Sequence, residues 1–171
     1  AVVDGTAYVV GGYDGAAITH DVVATRTGRG AHVVGRLRRG RSDGNPIIWM
    51  NVLDAGVTLA GPPADSFLPP ITAAMLDEAL ERELAYLEEE ITTKVRSRWR
   101  RVPSYRVYAV LTVCRILQST ETRRIDSKPA AARWAMPRLP SSHCALVRRA
   151  LRAHQGAKQP ILRLAEIRGF L

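Results

Sequence analysis

The sequence predicts a mostly α protein: an antiparallel bundle of about five helices, preceded by a short segment of strands and loops. Three observations carry this reading. Beyond residue 70, apolar residues recur at spacings of three and four, the period of a helix with one buried face. Nine of the thirteen glycines lie in residues 1–45, where no helical period is found. A proline-rich stretch from Gly61-Pro62-Pro63 to Pro69-Pro70 separates the two compositions. Residues 1–45 are therefore one segment, 46–70 a helix with a stiff linker, and 71–171 the helical domain.

In the first segment, Ala7-Tyr8-Val9-Val10 and Ala31-His32-Val33-Val34 read as strands between turns such as Gly11-Gly12 and Asp14-Gly15. Too few large apolar residues are present for this segment to build a core alone. Asn45-Pro46 supplies an N-cap and a proline at the first helical position. Ile47, Ile48, Trp49, Val52 and Leu53 give that helix its apolar face, and Gly56 ends it. Val57-Thr58-Leu59 reads as extended.

A long helix is expected from Thr72, with Leu76, Leu80, Leu84, Leu87, Ile91 and Val95 on one face. Its acidic first half and its basic end, Lys94 to Arg101, complement the helix dipole. Pro103-Ser104 restarts the chain in a helix whose buried stripe is Val107, Val110, Leu111, Cys114 and Leu117. Ser127 caps a short helix that ends near Pro137. Ser141 begins another, to about His154 and closed by Gly156, and Pro160 opens a last one through Ile161, Leu164 and Ile167.

A net charge of +9 and a pI near 10.4 favour an anionic partner such as nucleotide phosphates, nucleic acid or acidic lipid. Cys114 and Cys144 fall inside predicted helices without a short-spaced ligand set, and are expected to be buried free thiols. No apolar run approaches the ~18 residues of a membrane span, and the N-terminus does not read as a signal peptide. The expectation is a cytoplasmic protein with no membrane partner. Because the chain begins with Ala, a fragment or a processed piece is also expected.

Two cations stand out. Arg115 lies between Cys114 and Ile116 on the apolar helix, so its stem is partly buried and its guanidinium needs an anion. That anion is either a carboxylate, from Glu121 or the long helix, or a ligand. Lys128 sits in the first turn of a helix, where free N–H groups favour negative charge and a cation is mildly unfavourable without a partner.

Three pieces of sequence carry a resemblance: Ala109-Val110-Leu111-Thr112-Val113-Cys114-Arg115; Ser127-Lys128 with Ala131-Ala132-Arg133-Trp134-Ala135-Met136; and Arg138-Leu139-Pro140. In this order and spacing they resemble the C-terminal helical domain of the aminoglycoside adenylyltransferases that inactivate streptomycin and spectinomycin. Gly56 to Pro63 and the phenylalanine-proline pattern of Phe67 to Pro70 are similar to that family's linker. The resemblance covers about residues 45–156. It implies a two-domain enzyme in which an N-terminal nucleotidyltransferase domain holds Mg²⁺ and ATP, and the helical domain closes over them. It implies that Arg115 and Lys128 contact the ATP phosphates, and places His154 near the adenine. Residues 1–45 would be a remnant of the catalytic domain. The implied partners are ATP, an aminoglycoside-like substrate and the N-terminal domain.

The departures set further expectations. The family's Asp-x-Asp metal pair and later glutamate base are not found as a set, so no catalytic or metal residues are assigned and the isolated chain is expected to be inactive. Gly40-Arg41-Ser42-Asp43-Gly44-Asn45 echoes the family's metal signature, but Asn45 replaces its second aspartate. Where the family holds its cationic drug, this chain reads RSRWRRVPSY. Trp99, Tyr105 and Tyr108 are the candidate substrate-facing residues there, with Glu88 to Glu90 the nearest acidic side chains. The alternative function is a basic helical module that binds nucleic acid or another anion through Arg96 to Arg101, Arg123 and Arg124.

Overall fold

The computed structural model describes residues 2–3, 6–13, 18–21, 29–33, 37–41, 45–60, 63–66, 68–157 and 162–171. The chain divides into two compact units, residues 1–79 and 80–171.

In the first unit, strands β1 (Val2–Val3), β2 (Thr6–Tyr13) and β3 (Ile18–Asp21) pair antiparallel in that order. Strands β4 (Arg29–Val33) and β5 (Leu37–Arg41) form a separate antiparallel pair. Strand β2 runs straight through Gly11-Gly12, where the sequence predicts a turn. Helix α1 (Pro46–Ala55) starts where Asn45 Oδ1 accepts from the Ile47 N–H at 3.0 Å. Gly56 closes it by donating its N–H to the Val52 carbonyl, and any Cβ on Gly56 would run into that same carbonyl. The chain then enters β6 (Val57–Ala60), which pairs with β2.

Helix α2 (Ala73–Glu88) begins where Thr72 Oγ1 accepts from the Met75 N–H, and Leu76, Leu80 and Leu87 are buried along it as expected. The expected continuation to Arg101 is not what the chain does. Residues Glu89–Thr93 form one wide π-helical turn, and the helix stops at Lys94. Ile91 stays buried, but Val95 is 74% exposed. Thr92 Oγ1 donates to the Glu88 carbonyl, a side-chain bond that disturbs the helical ladder. Glu90 then holds the reversal. It accepts from Lys94 Nζ at 2.7 Å and from Ser97 Oγ at 2.5 Å, and the Lys94 bond, with Ser97 second, lowers the Glu90 pKa. Ser97 Oγ also accepts from the Trp99 N–H and so starts the short helix α3 (Arg98–Arg101).

The second unit is organised around α4 (Pro103–Thr122), whose Ala109, Val110, Leu111, Thr112 and Cys114 have no exposed surface. Leu117, expected in the same stripe, is 39% exposed. Helices α5 (Lys128–Ala135) and α6 (Ser141–His154) pack on α4. The fully buried Ala131, Ala132 and Ala135 present a small-residue face that permits close approach. Helix α6 buries Leu146, Val147, Ala150 and Leu151, and Gly156 follows it with φ +89°, a left-handed conformation suited to glycine. The last helix, α7 (Leu164–Arg168), buries Ile167 and is joined to α6 by the Arg149–Glu166 pair. The expected opening of this helix at Pro160 and Ile161 lies outside the described residues. Arg106, on α4, donates to the Arg100 and Leu162 carbonyls and ties α3 and the C-terminal segment to the central helix.

The fold is mostly α, as expected. Among the described residues, no helix is long and apolar enough to cross a membrane.

Both cysteines are free, but only Cys114 is buried; Cys144 is half-buried. Burial pushes the Cys114 thiol up to about 12, so little of it is the reactive thiolate at neutral pH. A disulfide-exchange reagent is expected to label one thiol per native chain and two in denaturant. Rapid native labelling of both would contradict this packing.

Candidate functional site

Arg115 and Lys128 arrive at one place from two helices. Arg115 projects from α4, whose end is fixed at Arg123, a left-handed residue with φ 58° that donates its N–H to the Ser119 carbonyl. Four residues later Ser127 caps α5, its Oγ accepting from the Ala130 N–H at 3.3 Å. Such a cap contributes on the order of 1 kcal/mol. Lys128 is the first helical residue, and Pro129 fits the second because it needs no N–H partner there.

The electrostatics are unfavourable in the absence of a ligand. Burial first, and the Arg115 guanidinium second, lower the Lys128 pKa to about 7, against the opposing effect of the Glu83 carboxylate. Lys128 Nζ lies 3.9 Å from the centroid of the Tyr108 ring, a cation–π contact. Among the described residues, no carboxylate forms an ion pair with Arg115 or Lys128. Glu121, one partner foreseen for Arg115, pairs instead with Arg138 at 3.9 Å. Two adjacent cations, one of them partly neutralised by its surroundings, make a place for a multiply charged anion.

Tyr108 connects this pair to an aromatic cleft. Trp99, Tyr105 and Tyr108, the candidate substrate-facing residues, line one open cleft of about 520 Å³ together with Glu83, Tyr86 and Ser104. Trp99 is the hub. Its ring makes edge-on contacts with Tyr86, Tyr105 and Tyr108 at centroid distances of 6.0, 5.2 and 5.4 Å. Its indole N–H donates to the Tyr86 hydroxyl at 3.3 Å. The reversal built by Glu90 and Ser97 is what returns Trp99 to α2 and Tyr86.

Sequence reasoning missed Glu83 and Tyr86. Their spacing of three on α2 puts them on neighbouring faces, and that was the available signal. Glu88 to Glu90 do not line the cleft, and Glu89 and Glu90 are held by Lys94. His154 is the last residue of α6 and half-buried. It lies neither along the cleft nor among the charges that act on Lys128. Of the Gly40 to Asn45 segment, Ser42 to Gly44 lie outside the described residues. Among the described residues, no group of three or more His, Cys, Asp or Glu converges to hold a metal ion.

Residues 66–168 match the family described as aminoglycoside adenylyltransferase, C-terminal domain. A spectinomycin 9-adenylyltransferase of Staphylococcus aureus is 30% identical over 100 residues, covering 58% of this chain and 34% of that protein. An aminoglycoside (3'') (9) adenylyltransferase of Rhizobium radiobacter is 30% identical over 116 residues, covering 66% of this chain and 39% of its own length. Its Escherichia coli counterpart is 29% identical over 116 residues, with 66% and 40% covered. The match thus spans between a third and two fifths of these relatives. The chain belongs to the family of the aminoglycoside adenylyltransferase C-terminal domain.

Proposed function

We propose that this chain forms one wall of an adenylyltransferase active site and holds the polyphosphate of ATP between Arg115 and Lys128. The observation that carries this reading is the meeting of two cations with no carboxylate pairing either among the described residues. A buried or half-buried cation without a counter-ion is costly, and a triphosphate removes that cost.

In the proposed reaction, a substrate hydroxyl attacks the α-phosphorus of ATP, the bond to the β-phosphate oxygen breaks, and pyrophosphate leaves. Arg115 and Lys128 stabilise negative charge as it gathers on the departing pyrophosphate. The aromatic cleft receives the substrate, with Trp99, Tyr105 and Tyr108 offering stacking surface and Glu83 a counter-charge for an ammonium group. A cationic aminocyclitol or aminoglycoside has that chemistry, in keeping with the names of the relatives, and its modification would confer antibiotic resistance.

Mg²⁺ supplies charge neutralisation on the phosphates in such chemistry. Among the described residues, no cluster of side chains fits a metal ion. The carboxylates that bind it, and the base that takes the hydroxyl proton, belong in this proposal to a nucleotidyltransferase domain acting together with the chain.

The 171 residues alone are expected to show no transfer of AMP from ATP to spectinomycin or streptomycin. Turnover by the isolated chain would overturn the proposed division of labour between the two domains.

A further inference from the structure

The site depends on Lys128 reaching the right distance from Arg115, yet twelve residues and a change of direction separate them. Gln118 lies one helical turn beyond Arg115 on α4, and Asp126 lies two residues before Lys128 in the turn that leads into α5. The Gln118 side chain is 4% exposed, and its Nε2 donates to Asp126 Oδ2 at 2.6 Å. A carboxylate only accepts, so the amide must turn its NH₂ toward Asp126. That leaves Gln118 Oε1 buried with no hydrogen-bond partner. For packing alone this is a poor choice, because a leucine of similar size would leave no orphaned carbonyl. As a tether it works well, since the bond links the last turns of α4 to the 123–127 turn and ties the start of α5 to the helix that carries Arg115.

We propose that Gln118 and Asp126 are positioning residues for the anion site: their hydrogen bond fixes the α4–α5 turn and thereby sets Lys128 against Arg115. This rests on the polyphosphate reading of the two cations, and assigns the pair no contact with the ligand. It requires that loss of the tether weaken anion binding without weakening the fold. It also requires that Lys128, no longer buried beside Arg115, titrate closer to an ordinary lysine.

The test uses the full 171-residue chain, inorganic tripolyphosphate as the probe, and NMR detection of the lysine side chains. Gln118→Leu and Asp126→Ala are expected to bind tripolyphosphate about tenfold more weakly, corresponding to about 1.4 kcal/mol. Gln118→Leu should remain folded, because the half-buried Asp126 carboxylate it leaves can be solvated, and the Lys128 midpoint should rise in both variants. The exchanged pair, Gln118→Glu with Asp126→Asn, keeps both side-chain lengths while reversing donor and acceptor, and should restore both affinity and midpoint. A folded Gln118→Leu with wild-type affinity, or an exchanged pair that folds without regaining affinity, overturns the proposal. If the wild type binds no tripolyphosphate, the polyphosphate reading fails. The tether is then decided by the Lys128 midpoint alone: a rise in Gln118→Leu supports it, and no change overturns it.

Discussion

Replacing Arg115 or Lys128 with alanine is expected to lower tripolyphosphate and ATP affinity by about ten- to a hundredfold. Hydrogen bonds to charged groups contribute about 1.5–3 kcal/mol each, which is that range of affinity. Calorimetric titration of the two variants checks it. Arg115→Lys is expected to recover only part of the loss, because an ammonium cannot reproduce a planar, forked donor. Lys128→Met should bind weakly yet melt higher than wild type at pH 6, where wild-type Lys128 carries an unpaired, half-buried charge. Replacing the exposed Arg98, which lies outside the site, should leave affinity unchanged. A graded loss on removing any surface arginine would instead favour the nucleic-acid-binding module.

The second large effect is on pH. The folded-state pKa of Lys128 is depressed to about 7 from the model-compound value of 10.5, chiefly by burial and then by Arg115. Below pH 7 both folded and unfolded chains hold this proton, so its contribution to stability does not vary. Between about 7 and 10.5 the unfolded chain binds more of it, and Lys128 makes stability rise with pH. Ligand binding has the opposite dependence, because a polyphosphate favours the charged lysine and raises its pKa. The chain should therefore take up a proton on binding above pH 7, and affinity should fall by up to about tenfold per pH unit there. Lys128→Arg cannot lose its charge in this range. The difference between it and wild type separates Lys128 from titration of the ligand itself. Parallel pH profiles for the two proteins would contradict this role for Lys128.

Much of this site was legible in the sequence, for reasons that can be named. Arg115 sits within an apolar helical stripe, and Lys128 follows a serine cap and precedes a proline, so local rules place both. Whether Arg115 would meet a carboxylate was not legible. That depended on Glu121 turning to Arg138, a contact between elements that no spacing encodes. The end of α2 was misread because Ile91 and Val95 continue the hydrophobic period. The break is decided by Thr92 bonding to the Glu88 carbonyl and by Glu90 gathering Lys94 and Ser97, which are polar choices invisible to a hydrophobic pattern. The same reversal brings Trp99 against Tyr86. Three residues of the cleft were therefore legible as aromatics just before α4 and in its first turns, while Glu83 and Tyr86 looked like ordinary positions on an exposed helix face.

The most direct measurement is a calorimetric titration of the wild-type chain with tripolyphosphate at pH 6.5, with buffers of different ionisation enthalpy used to count protons. One saturable site per chain is expected, strongly weakened in Arg115→Ala, with proton uptake that increases as the pH is raised through 7. Absence of a saturable site, or a site indifferent to both Arg115 and Lys128, would contradict the assignment of these two cations to a phosphate ligand.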